Sequence, residues 1–320
     1  MESKKTLHEV WYEEVKRNGW KNFRFRCSML GKIASTPRGK SPMQKYNEAI
    51  AKQLVLQADC LEPLQRAVNG GKITKAEENK LVKLDNLSTE IALLKPMIDS
   101  PHLSETCKAY LANVYTEVMY NRKEDIESKY LDKGLLLEED AITQHSLNTG
   151  KMFRKNKQRL ANDFIDGEFD YEDEDLETVK DAKVNWSIFQ FNRASASPID
   201  HNYRWQLKGY MWLKNWKKSE LVYSLLNTPE HLIQQEERKL KYKIPFEADY
   251  DEACKELRRN HIYDDIPAEE KEKVFCVNHS DEDIDFITQQ IIWSRDYLNN
   301  FSKNKKLKDE SDSGNQEEMD

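Results

Sequence analysis

The sequence predicts a mixed α/β core preceded by a largely helical N-terminal region. Three observations carry that expectation. Residues 47–120 fall into long amphipathic runs separated by turn signals. Residues 163–184 contain two short strand-like segments joined by an acidic turn. Residues 202–229 place a helical run directly before a strand-like one. Helices alternating with strands in this way build a sheet covered by helices.

Each element has its own signal. Residues 47–68 are amphipathic and end at Gly70-Gly71, a natural turn. Thr74 followed by Glu77 is a capping-box signature opening a second helix to about Lys95. Pro96 and Pro101 bracket a break, and Leu103–Tyr120 follows as a third helix. The two long helices with their Gly-Gly elbow read as an antiparallel hairpin. "DFIDGEFDY" (163–171) and "ETVKDAKV" (177–184) read as a β-hairpin. "NYRWQLKGYMWLKNW" (202–216) reads as a helix, and "ELVYSLLNTP" (220–229) as a buried strand ended by Pro229. Ser280 and Asp283 cap a C-terminal helix striped by Ile284, Ile287, Ile291 and Leu298. From about 303 the chain is polar and lacks aromatics, which predicts disorder to residue 320.

Composition narrows the class. No stretch is apolar for long enough to cross a bilayer, and the N-terminus lacks the apolar core of a secretory signal. The five cysteines have no CxxC spacing, so reduced thiols in a cytoplasm are expected, without a zinc ribbon or disulfide framework. Net charge is −7, but the charges are segregated. Residues 21–45 carry Lys21, Arg24, Arg26, Lys32, Arg38, Lys40 and Lys45 with no acid. "KMFRKNKQR" (151–159) is likewise all basic, whereas residues 163–177 hold nine acids and no base. Basic runs beside an acidic knot suit a polyanion held next to bound cations; ordinary solvated faces are the alternative.

The hairpin carries the candidate chemistry. On a strand, residues two apart share a face, so Asp181 and Lys183 project together. Asp170 lies upstream across a short turn, where an antiparallel register brings its carboxylate beside Asp181. Two carboxylates in one spot repel unless a cation lies between them, and carboxylate oxygens select Mg²⁺ or Mn²⁺. A lysine there could orient a water or stabilise phosphoryl charge. Gly167 would let backbone or substrate approach closely. A solvated acidic hairpin with one ion pair is the competing reading of the same residues.

In chain order the motifs are G-x-x-x-E (Gly134, Glu138), G-x-x-D (Gly167, Asp170), D-x-K (Asp181, Lys183) and Q-x-x-x-Y (Gln206, Tyr210). This order resembles the RecB-like branch of the PD-(D/E)XK nuclease superfamily, the group of the YqaJ-type viral recombinases and lambda exonuclease. "FRCSMLGKI" (25–33), "YRWQLKGYMWL" and "LVYSLLNTP" resemble the phrasing of its phage-encoded members. The resemblance implies a restriction-endonuclease-like α/β core, a mixed central sheet flanked by helices. On that expectation residues 1–130 form a helical region packed on the core, 131–302 the nuclease core with its C-terminal helix, and 303–320 a charged tail.

The resemblance also implies a Mg²⁺- or Mn²⁺-dependent exonuclease acting on duplex DNA ends, in phage recombination or end resection. An endonuclease and an inactive DNA-binding subunit of the same fold are the alternatives. By this likeness Asp170, Asp181, Glu138 and the backbone carbonyl of Ala182 hold metal, Lys183 positions water, and Gln206 and Tyr210 support the site. Arg26 and Ser28 correspond to phosphate-contacting residues, and Arg154, Lys155, Lys157 and Arg159 would meet DNA at the cleft mouth. A separate strand-annealing protein, a homo-oligomer and a cytoplasmic location in a bacterial host are the further implications. Because the helix motif reads Glu138-Glu139-Asp140, its register has two solutions. His145 reads as a packing histidine, and the Trp186, Phe189, Phe191, Trp205, Trp212 and Trp216 zone as core.

Overall fold

In the computed structural model, residues 7–98, 100–124, 129–196, 199–244 and 246–314 are described. The elements run α1 (Leu7–Asn18), β1 (Phe25–Arg26), α2 (Leu30–Ile33), α3 (Pro42–Val68), α4 (Lys75–Ile98), α5 (Glu105–Tyr120) and α6 (Lys129–Thr149). They continue with β2 (Leu160–Ala161), β3 (Ile165–Gly167), β4 (Tyr171–Asp173), β5 (Thr178–Val184), α7 (Ile188–Ala196) and α8 (His201–Lys214). The chain closes with β6 (Lys218–Ser224), α9 (Glu230–Lys241), α10 (Glu247–Arg259), β7 (Glu272–Asn278) and α11 (Asp281–Gly314).

These elements form two compact units: residues 36–105, and residues 1–35 together with 106–320. The division therefore differs from the expected one at residue 130, because the first segment of chain belongs with the sheet. The smaller unit is the antiparallel pair α3–α4. Ser41 and Gln44 form a capping box at the start of α3, and Thr74 and Glu77 cap α4 reciprocally, as their spacing predicts. Pro96 lies inside α4, so the expected break falls one turn later.

In the larger unit a four-stranded sheet has the order β4-β5-β6-β7. β5 and β6 are parallel, with Asp181 opposite Leu221 and Ala182 opposite Val222, while β4 and β7 run antiparallel to their neighbours. The parallel step is a crossover through α7 and α8, the connection such a step requires. Successive side chains of β5 alternate faces. Ala182 packs with Tyr171, Val222 and the α6 residues Ala141 and Ile142, whereas Asp181 meets α8 through Gln206. Thus α6 and α8 cover opposite faces of the strand that bears the D-x-K motif.

The expected hairpin is shorter than the sequence suggests. Tyr171–Asp173 pairs with Thr178–Val184, but Ile165–Gly167 joins a separate three-stranded sheet of order β1-β3-β2. Asp166 explains the switch: it is fully buried opposite Arg26 in the register of β1 and is held by Arg159. The turn is closed by Asp173, whose Oδ1 accepts the Leu176 N–H at 3.3 Å. The "ELVYSLLNTP" strand likewise ends early, at Ser224, and Pro229 becomes the N-cap of α9. α11 starts at the predicted Ser280–Asp283 box and runs on through Gly314. The part of the predicted disordered tail up to Gly314 is therefore helical, as good helix formers such as Lys, Leu and Glu allow; residues 315–320 lie outside the described residues.

Close approach decides where α8 sits. A Cβ on Gly167 would lie 2.7 Å from Cys27 Sγ and 2.8 Å from Tyr210 Cε1, and one on Gly209 would lie 2.9 Å from the same sulfur. The approach at Gly167 is thus made by two side chains, not by substrate as its position in the motif suggested. Gly167→Ala and Gly209→Ala should each destabilise the fold by about 1–3 kcal/mol in thermal or urea denaturation, the usual range for overpacking. Combining Gly167→Ala with Cys27→Ala should recover part of that loss; strict additivity would show that the sulfur is not the obstacle.

Candidate active site

Asp181 sits in the middle of β5, 1% exposed, with its carboxylate toward α8. Gln206 donates from Nε2 to Asp181 Oδ1 at 3.2 Å and to the Tyr210 hydroxyl at 2.9 Å. Gln206 and Tyr210 share a helix face at i and i+4, so the Q-x-x-x-Y spacing is what lets one amide bridge both groups. Tyr210 in turn closes against Gly167. The helix holds this face in place through caps at both ends: Asp200 accepts from the Asn202 N–H at 2.8 Å, and Asn215 adopts the left-handed conformation at φ 55°.

Lys183, two residues along the same face, places Nζ 2.5 Å from Asp181 Oδ2. That oxygen is buried and has charge contact but no hydrogen-bond donor in good geometry. The Tyr203 ring lies 5.3 Å from the same ammonium. Burial opposes the charge on Lys183, but Asp181 and Asp170 outweigh it and hold its pKa above the usual lysine value. Asp170 immediately precedes β4, and its Oδ2 accepts the Ala182 N–H at 2.7 Å. Burial, then Asp181, then Glu138 push the Asp170 carboxyl well above the usual carboxylate range; Lys183 and the Ala182 N–H oppose the shift without cancelling it.

Glu138, on α6, faces this pair closely enough to act on Asp170, while Glu139 and Asp140 are exposed. Its Oε1 lies 3.3 Å from Lys155 Nζ. Lys133, one helical turn and a residue earlier, is completely buried and donates to the Trp186 carbonyl at 3.2 Å. Burial pulls its ammonium down to about 7. This bond ties α6 to the chain just past β5, so the helix of Glu138 and the strand of Asp181 share an anchor.

The remaining expected residues are distributed differently. Arg26 pairs with Glu117 at 2.7 Å and reaches the Tyr12 hydroxyl at 3.0 Å. Ser28 is exposed in the short turn before α2. Arg159 is held by buried Asp166 and Lys155 by Glu138, so these two cations are committed to carboxylates. Arg154 and Lys157 remain exposed. Together with Lys151 and the acids 172–175 they line a groove of about 840 Å³ beside β4. His145 packs between Phe153 and Tyr171 and meets Glu272 at 3.0 Å, a packing role away from the Asp170–Asp181 pair. Tyr203 escaped the sequence reading, although it shares the Gln206 face at i and i+3. Lys133 and Cys27 carry no such sequence signal, since their partners come from distant segments.

Among the described residues no three His, Cys, Asp or Glu side chains gather tightly enough to hold a metal alone. The fit to a hard cation rests on the two adjacent carboxylates: Asp181 Oδ2 is buried with the Lys183 ammonium beside it, and Asp170 resists ionisation in their shared site. All-oxygen donors of this kind suit Mg²⁺ or Mn²⁺.

The raised Asp170 pKa has a sign. Its favourable contribution is present below the unfolded carboxyl value near ~3.9 and is lost as pH rises through the folded value. At pH 8 in chelator, Asp170→Asn should therefore stabilise the protein, by about 0.5–2 kcal/mol, the usual size of a stabilising active-site substitution. Calorimetry should show this gain shrinking as pH falls from 8 through the folded Asp170 value and levelling off below about 4.

No family model matches the sequence, and no curated protein is similar to it in sequence. Solved structures do match. A phage-related exonuclease from Haemophilus somnus 129PT aligns over 90% of this chain and 99% of its own, at 19% identity and a TM-score of 0.58. An alkaline exonuclease from Laribacter hongkongensis, LHK-Exo, aligns over 65% of this chain and 87% of its own, at 12% identity and a TM-score of 0.44. LHK-Exo in complex with dAMP gives 65% and 86%, with the same identity and score. No helix among the described residues is long and apolar enough to cross a membrane. This chain has the fold of the H. somnus phage-related exonuclease, over almost the whole length of that protein.

Proposed function

We propose that this chain is a Mg²⁺- or Mn²⁺-dependent exonuclease that hydrolyses phosphodiester bonds at the ends of duplex DNA. The observation that carries the reading is the half-buried Asp170 beside the buried Asp181, with Lys183 against both. The fold shared with a phage-related exonuclease supports the reaction class. The order of the four motifs extends the reading to end resection in phage recombination, with a separate strand-annealing protein as the expected partner.

Asp170, Asp181 and the Ala182 carbonyl would hold the cation, with Glu138 completing the set once it leaves Lys155. A divalent cation bound there supplies positive charge to the phosphodiester oxygens and acidifies a neighbouring water. The protein's own groups do the positioning. Gln206 fixes the Asp181 carboxylate through Oδ1 and leaves Oδ2 toward Lys183. Lys183, kept protonated by its two carboxylates, is a donor: it orients the attacking water and stabilises charge on the phosphoryl oxygens. Tyr210, buried with the Phe169 ring against it, excludes bulk water from that side of the site.

Purified protein should degrade linear duplex DNA in the presence of Mg²⁺ and leave covalently closed circles intact. Cutting of circles would sink the exonuclease reading. Lys183→Ala should lower the rate by about 10²–10⁴-fold, the range for loss of a positioned proton-transfer or charge-stabilising group; undiminished activity would remove Lys183 from the site. Glu138→Gln should raise the Mg²⁺ requirement on the order of tenfold or more, while Glu139→Gln should not. A Mg²⁺ titration of the two variants decides the register of the helix acid.

A further inference from the structure

Just beyond the catalytic strand, α7 carries features that the hydrolytic site does not use. Trp186 lies three residues past Lys183, on the order of 10 Å along extended chain. There Tyr130, Trp186, Ser187, Phe189, Gln190 and Arg193 line an open pocket of about 530 Å³. Phe189 is 64% exposed and Tyr130 51%, although both are large aromatic side chains in a protein whose other α7 aromatic, Phe191, is buried. Tyr130 stands edge-on to Trp186 with ring centroids 5.7 Å apart, so its ring is braced by a buried neighbour. Among the described residues no carboxylate lines the pocket. Arg193 is exposed and donates from Nε to the Phe189 carbonyl at 3.3 Å. The segment 185–199 contains no acid at all, in contrast to the acidic run 163–177 on the other side of β5.

Exposed aromatic faces with a guanidinium at the rim match one ligand chemistry: unstacked nucleobases on a phosphate backbone. Bases stack on such rings whatever their identity, and an arginine at the rim neutralises a phosphate. A docking peptide of acidic character would use the cation but would leave the two exposed rings without stacking partners. We infer that Phe189, Tyr130 and Arg193 form a binding site for single-stranded DNA next to the nuclease centre, holding bases unpaired from the duplex end. The inference rests on the nuclease reading for its purpose but not for its test. A frayed strand held there would keep the end open while the scissile phosphate is aligned, and it would make binding sequence-tolerant.

The test measures binding without cleavage. A short single strand carrying 2-aminopurine is titrated with the full chain in chelator, reading fluorescence quenching, which reports stacking on an aromatic ring. Phe189→Ala should weaken binding about 5- to 100-fold and abolish quenching, whereas Phe189→Tyr should retain both. Arg193→Gln should reduce the slope of log affinity against log salt by about one. Hydrolysis of a small phosphodiester ester by Phe189→Ala should be unchanged. Equal affinity and quenching in Phe189→Ala would overturn the site. So would a change in molecular mass of that variant in light scattering, since the patch would then be a contact between copies of the chain. If the parent protein cleaves nothing yet binds through Phe189, the nuclease reading fails and this site stands; if it cleaves DNA and Phe189→Ala binds normally, the reverse holds.

Discussion

The structure turns on two carboxylates, buried Asp181 and half-buried Asp170, that are forced together and left short of positive charge. Asp181 is placed there by the middle of a central strand, and Asp170 by the residue just before its antiparallel neighbour. One lysine faces both, and it does not suffice, because Asp170 remains reluctant to ionise. Such an arrangement costs stability, and carboxylates perturbed in this way cluster at functional sites. Much of the surrounding fold serves to keep the pair together. α8 brings Gln206 to one carboxylate oxygen, and the glycines at 167 and 209 let that helix sit close enough to do so.

The two faces of β5 divide the work. On the α8 face, the side chains are ionic or hydrogen-bonding and converge on Asp181. On the α6 face, Ala182 and Val222 pack against Ala141 and Ile142, giving Glu138 a rigid base from which to approach. Lys133 joins these layers from within by donating to the Trp186 carbonyl, which costs its own charge part of its stability. The basic segment 151–159 does not act as one cationic surface. Its members split between internal ion pairs, at Lys151, Lys155 and Arg159, and the exposed Arg154 and Lys157. Pairing with carboxylates lowers the net positive charge this segment presents below its sequence count.

Local rules read well where the chain acts locally. The capping boxes at Thr74 and Ser280, the period-two pairing of Asp181 with Lys183, and the i,i+4 pairing of Gln206 with Tyr210 all depend on neighbours within a few residues. The same rules misread residues 163–171 as one strand, because Ile165–Gly167 is captured by β1 from the opposite end of the chain. Nor do they encode the partners of Arg26 and Arg159, which pair with Glu117 and Asp166; for Arg26 that partner is distant in sequence. Exposure was equally illegible: Phe189 and Phe191 look alike in sequence, yet the turn of α7 points one to solvent and the other into the core.

By itself the sequence determined the order of the motifs, the helical hairpin, and which side chains of β5 and α8 share a face, since backbone periodicity alone governs these. Tertiary structure decided the rest. It chose Glu138 over Glu139 as the acid facing Asp170, gave Gly167 and Gly209 their purpose through Cys27, and separated committed cations from available ones. The reason is range: dihedral preferences and side-chain periods act over one or two turns, whereas desolvation, steric fit and Coulomb interactions depend on whatever distant segment the fold brings alongside. Asp170, Asp181 and Lys183 could be grouped from strand register alone; the folded chain added Glu138, Gln206 and the burial that perturbs them.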